Sequence, residues 1–130
     1  MQQAHHSLTG IWHGLYSHAT GAQEAFVAEL TETLGVLTGK VTETIKHGPM
    51  AGKTLTAHLI GERDHGMISF VKTYDGKAGW DHSVTYEGEL ADCGCEVEGE
   101  WRLQGAAGTF MMIRSSALPS ALIRAEAVDA

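Results

Sequence analysis

The stretch Cys95-Glu96-Val97-Glu98-Gly99-Glu100-Trp101-Arg102-Leu103 decides the fold. Its side chains alternate: Glu96, Glu98, Glu100 and Arg102 face one way, and Val97, Gly99, Trp101 and Leu103 face the other. Successive side chains of a strand point to opposite faces, so this strand has one wet face and one buried face. That pattern favours an antiparallel sheet, because parallel sheets are covered on both sides. The same period recurs over 8–17, 24–32, 36–46, 54–62, 67–74, 82–90 and 108–115. Turn chemistry separates several of the runs, at Leu34-Gly35, His47-Gly48-Pro49, Asp64-His65-Gly66, Asp75-Gly76 and Gly105-Ala106-Ala107-Gly108.

Eight strands joined by short turns predict an all-β fold, an eight-stranded antiparallel up-and-down barrel. Closure removes the exposed edges that would otherwise invite aggregation. Strand glycines such as Gly14, Gly39, Gly61, Gly88 and Gly99 suit the bends of a closing sheet. A two-sheet sandwich is the structural alternative. The segment from Gly21 to Ala28 is the one place before residue 115 where a turn of helix is an option. From Ser116 onward the pattern changes, and Ala117–Ala127 suits a short helix begun at Ser120 or Pro119. The expected organisation is an N-terminal extension over 1–7, the barrel over 8–115, and a C-terminal helix or tail over 116–130.

Composition narrows the partners. Of 130 residues, 43% are apolar and only 19% charged, with 16 glycines and 2 prolines, which excludes a disordered chain. The glycines have no three-residue period, so a collagen helix is excluded too. No apolar run reaches the ~18 residues of a membrane-spanning helix. Nine basic against sixteen acidic residues give a formal charge of −7. Nucleic acid and anionic lipid would both be repelled, which leaves a small molecule or another protein. Residues 1–6 lack the basic and apolar regions of a signal peptide, so a cytoplasmic location is expected. A secreted form with its leader removed is the alternative. Cys93 and Cys95 are separated by one residue, and reduced thiols are the expectation, because a disulfide across a single residue staples almost no chain.

With strand order in place, Gly10-Ile11-Trp12 resembles the G-x-W motif of lipocalins, and Arg114 resembles the arginine that packs across that tryptophan. The chain is thus similar to the calycin superfamily over about residues 8–115. It lacks the disulfides and length of secreted lipocalins and the helix pair of fatty-acid-binding proteins. The likeness is to compact, uncharacterised lipocalin-like domains with a Phe-x-Lys-x-Tyr strand, here Phe70-Val71-Lys72-Thr73-Tyr74. It implies a barrel and a Trp12–Arg114 seal at one end, and no activity.

A barrel of this size is either filled by side chains or holds one small ligand. Trp12, Tyr16, Tyr86, Trp101, Met112 and Arg114 share the inward faces of their strands and are candidate ligand-binding residues, although the plain alternative is that they only form the core. Glu43 is the anomaly: it shares a face with Leu37, Val41 and Ile45. A carboxylate pointing inward needs a partner, for which Tyr86, Lys72 and Arg114 are candidates. Eight histidines are scattered along the chain without metal-ligand spacing, and most read as solvated. Some calycin-like barrels bind haem, but no histidine stands out as its ligand. Cys93-Gly94-Cys95 could supply two soft metal ligands, although two incidental turn thiols are the simpler reading. No metal, cofactor or catalytic residue is assigned.

The leading expectation is binding of a small, mostly apolar ligand in the lumen by Trp12, Tyr16, Glu43, Tyr86, Trp101, Met112 and Arg114. One alternative is a small isomerase, cyclase or hydrolase using Glu43 with Tyr86 or Lys72. Another is a filled, non-catalytic barrel that forms a homodimer.

Overall fold

A computed structural model describes residues 7–46, 48–76 and 82–114. Eight strands follow one another: β1 (Gly10–Ser17), β2 (Gln23–Thr33), β3 (Val36–Thr44), β4 (Thr54–Asp64), β5 (Met67–Tyr74), β6 (Ser83–Leu90), β7 (Glu96–Leu103) and β8 (Ala106–Ile113). Each pairs antiparallel with the next, and β8 returns to β1 with Met111 opposite Leu15, closing the barrel. The sandwich is excluded by that last pairing. The segment Gly21–Ala28 contributes no helix, because Gln23 onward already pairs with β1. The C-terminal helix or tail lies outside the described residues.

The period-2 pattern of the sequence becomes the wall of the barrel. Trp12 and Tyr16 on β1, Phe26 and Leu30 on β2, Phe70 and Tyr74 on β5, and Phe110 and Met112 on β8 are buried inside. Between them the outward residues, such as His13, Glu29, Glu87 and Glu98, are exposed. Polar side chains break the rule at both ends: Glu43 and Lys72 lie inside with the core, and the side chains of Glu32 and Arg63 are buried as a pair at the opposite end.

Several strand ends shift by one or two residues from the sequence reading, and two of the shifts have a clear local reason. β8 begins at Ala106, not 108, since Gln104-Gly105 alone makes the turn. Gly108 then pairs with Trp101, and a methyl group there would run into the Ser17 carbonyl and the indole of Trp101. β3 stops at Thr44, because Ile45 N donates to Lys53 O (2.9 Å) and Gly52 N donates to Ile45 O (2.7 Å), which folds 45–53 into a loop.

The up-and-down order sorts the connections by end. Where β1 begins, the links are the short Leu34-Gly35 and His65-Gly66 turns and the 91–95 loop. Where β1 ends, the links include 45–53 and 75–82. The expectation of reduced thiols is corrected in the 91–95 loop: Cys93 and Cys95 form a disulfide with Cα atoms 5.3 Å apart. That spacing is ordinary for a disulfide, and Gly94 reaches it by taking a left-handed φ of 73°. The two sulfurs bind each other and are not free as metal ligands.

Candidate functional site

The site grows from the inward faces of three strands. Glu43 stands near the end of β3, Lys72 and Tyr74 share the inner face of β5, and Tyr16 comes from β1. All four meet at the end of the barrel that carries the long loops. Lys72 Nζ donates to Glu43 Oε2 at 2.6 Å, and the Tyr74 hydroxyl donates to the same oxygen at 2.8 Å. The Tyr16 hydroxyl donates to Oε1 at 3.0 Å. The ion pair is 1% and 6% exposed on its two sides, so water does little to screen it.

Aromatic rings complete the surroundings of the ammonium. Lys72 Nζ lies 4.6 Å from the ring centre of Tyr16, 4.9 Å from Tyr74, 5.1 Å from Tyr86 and 5.4 Å from Phe26. Each ring face adds a cation–π attraction that partly replaces lost hydration. Burial nevertheless holds the Lys72 ammonium below the usual lysine range, with the Glu43 charge pulling the other way. The phenols of Tyr16, Tyr74 and Tyr86 are all pushed up, first by burial and then by the Glu43 charge. They stay protonated and act as hydrogen-bond donors.

Above this network is a mouth cavity of about 160 Å³. Tyr16, Glu43, Ile45 and Leu55 line it, and Glu24 and Lys46 are also in its wall. Glu43 therefore belongs to both the buried network and the cavity. Its Oε2 accepts two bonds, whereas Oε1 accepts one. Below the network the barrel is packed: Phe70 stacks on Tyr86 at 4.8 Å, and Phe110 meets Tyr86 edge-on at 5.0 Å.

The residues expected from sequence divide between the two ends. Tyr16 and Glu43 touch the cavity, Tyr86 packs beneath them, and Trp101 sits edge-on to Tyr16 with ring centres 6.2 Å apart. Trp12, Met112 and Arg114 lie toward the other end. There Arg114 stacks over Trp12 at 4.6 Å, while Trp12 Nε1 donates to Leu8 O at 2.9 Å. Of the expected partners of Glu43, Lys72 is found. Tyr86 and Arg114 are replaced by Tyr16 and Tyr74. Tyr74 was legible, since Phe70, Lys72 and Tyr74 fall on one face of an alternating strand. Among the described residues no group of three or more His, Cys, Asp or Glu is placed to hold a metal ion.

Comparison with known proteins gives a fold and no family. No family model matches the chain, and no curated protein does. Solved structures do. A redesigned β-barrel matches with a TM-score of 0.65 at 14% identity, over 83% of this chain and 91% of that one. A de novo designed fluorescence-activating β-barrel matches with a TM-score of 0.61 at 15% identity, over 88% of this chain and all of the other. The chain has the fold of small designed barrels. At such identities the likeness extends to the path of the backbone and no further.

Proposed function

We propose that this barrel binds a small, mostly apolar molecule at the Glu43 end of its lumen, where one hydrogen-bond donor of the ligand meets Glu43 Oε1. The carrying observation is the double membership of Glu43, which is anchored by three donors yet lines the mouth cavity. Pockets for small ligands are typically apolar with a few placed polar groups, and Ile45, Leu55 and Glu43 supply that mixture. A cavity of ~150 Å³ is large enough for a benzene-sized ring. The ligand is therefore ring-sized and carries a hydroxyl or an amine. The designed fluorescence-activating barrel of the same fold supports ligand binding as a use of this architecture. Trp12, Met112 and Arg114 are structural in this reading, and Tyr16 and Glu43 make the contacts.

Calorimetric titration with cyclohexanol, and with methoxycyclohexane as a ring lacking the donor, tests the reading. Cyclohexanol is expected to bind more tightly than its ether. Glu43→Gln should weaken it by about tenfold, the worth of one hydrogen bond to a charged group. Ile45→Trp, which fills the mouth without touching the network, should abolish binding. Equal affinities for alcohol and ether, unchanged in both variants, would overturn it.

A second reading rests on the outer wall. Leu15, Met111 and Ile113 lie together beside Val27 on an outer groove of about 520 Å³. Leu15 and Ile113 are exposed there, and a homodimer covering them is the filled-barrel alternative. Light scattering across a concentration series decides it, with Leu15→Glu expected to dissociate a dimer and a monomer at all concentrations overturning the idea.

A further inference from the structure

At the end of the barrel away from Glu43, the Cys93–Cys95 disulfide lies on the surface and is tied directly to the core. We propose that this disulfide is a thiol–disulfide exchange site for an external dithiol, and that its state is passed through Arg114 to Trp12.

Three observations support it. The ring closes through one residue, Gly94, and the shortest loops gain least from cross-linking, so the bond adds little to folding. Cys93 is exposed and Cys95 half-buried, which leaves the Cys93 sulfur open to attack. Gly94, held between the two half-cystines, offers its carbonyl to Arg114, which donates to it from Nε at 3.0 Å and from Nη2 at 2.8 Å. The same guanidinium donates from Nη1 to Thr9 O at 3.1 Å and covers Trp12. The direction of the Gly94 carbonyl is thereby coupled to the cover over the core.

The exchange balances with a dithiol as the co-reactant. Its thiolate attacks Cys93 Sγ, the Cys93–Cys95 bond breaks, and Cys95 leaves as a thiolate that takes a proton. The second thiol of the reductant then attacks its own sulfur in the mixed disulfide and releases the Cys93 thiolate. The reductant departs as a cyclic disulfide, having given two electrons to the pair. The Cys95 N–H, 3.1 Å from Cys93 Sγ, is placed to stabilise the released thiolate. With the ring open, the Gly94 peptide turns and Arg114 loses both bonds to its carbonyl.

The test treats the folded, full-length protein with dithiothreitol and alkylates it with iodoacetamide. Both cysteines should be alkylated while far-ultraviolet circular dichroism stays native, and re-oxidation should restore the disulfide. In a ¹⁵N–¹H spectrum the Trp12 indole resonance should move on reduction, and Trp101, at the opposite end, should stay in place as an internal reference. Cys93→Ser/Cys95→Ser should resemble the reduced form and ignore dithiothreitol. Arg114→Lys should keep the exchange but lose the Trp12 response. A disulfide reduced only when the barrel unfolds would overturn the proposal, and so would a reduced protein with an unmoved Trp12 resonance.

Discussion

Each end of the barrel buries an ion pair, and the two pairs sit in different company. At the end where β1 begins, Arg63 Nη1 lies 3.0 Å from Glu32 Oε1, and the same oxygen takes the backbone N–H of Leu8 at 2.8 Å. That carboxylate fastens a fully buried leucine across the opening, beside Trp12 and its Arg114 cover. At the other end Lys72 pairs with Glu43, and the remaining donors on the carboxylate are tyrosine hydroxyls. Among the described residues no side chain like Leu8 plugs the space over Glu43, and a cavity borders it there. Charge is expensive to bury at either end, so the contrast lies in what each pair holds. One pair holds a seal, and the other borders a cavity.

Several variants would break or sharpen that contrast. The largest effect is expected from Glu43→Ala, which strands the Lys72 charge among aromatic rings and should cost about 3–5 kcal/mol in urea unfolding. The double variant Glu43→Leu/Lys72→Met should recover most of it, because an apolar pair avoids burying charge at all. A double variant as unstable as Glu43→Ala alone would contradict this account of the network.

Alkaline pH provides the next test. The raised phenols of Tyr16, Tyr74 and Tyr86 keep their protons in the folded barrel above their ordinary value of 10.0, whereas the unfolded chain releases them. Stability should therefore fall as pH rises past 10, by up to about 1.4 kcal/mol per pH unit for each phenol. Lys72 has the opposite sign, since its lowered value makes the unfolded chain the better proton binder until pH 10.5. One lysine against three phenols leaves the fall dominant. Tyr74→Phe should make the pH dependence shallower, and an unchanged slope in that variant would remove Tyr74 as a contributor.

Smaller effects follow. Tyr16→Phe removes one donor from Glu43 Oε1 and should cost about 1–2 kcal/mol in the same unfolding assay. At the sealed end Leu34 is fully exposed and held at a φ of 53°, ahead of Gly35 at 83°. Asparagine tolerates that conformation in a two-residue hairpin turn far better than leucine does. Leu34→Asn should thus raise stability by about 1 kcal/mol, seen as a higher melting temperature, with no effect on the Glu43 end.

The same contrast shows where the sequence was legible. Strand alternation fixes which side chains turn inward, so the inward Glu43 could be read before any coordinates. Closure followed from eight short-linked strands that would otherwise leave edges exposed, and the Arg114 contact with Trp12 from the resemblance to lipocalins. Partnership across the lumen could not. Whether Glu43 meets Lys72 or Arg114 depends on the end each strand brings it to, and the order of β3, β5 and β8 sends Arg114 to the opposite end. The disulfide was misread for a different reason: loop-closure arithmetic says that a one-residue staple stabilises little, but it does not say that the bond fails to form. Packing of the centre was also hidden, because alternation gives the inward faces and not how completely their side chains fill the space.

The central claim is that the Glu43 end receives the ligand and the Trp12 end does not. Its most direct test is a ¹⁵N–¹H titration with cyclohexanol that follows backbone amides at both ends. The account predicts saturable shifts at Tyr16, Glu43, Thr44 and Leu55, with Leu8, Trp12, Glu32 and Arg114 unmoved. Shifts gathered around Trp12, or none at either end, would contradict it.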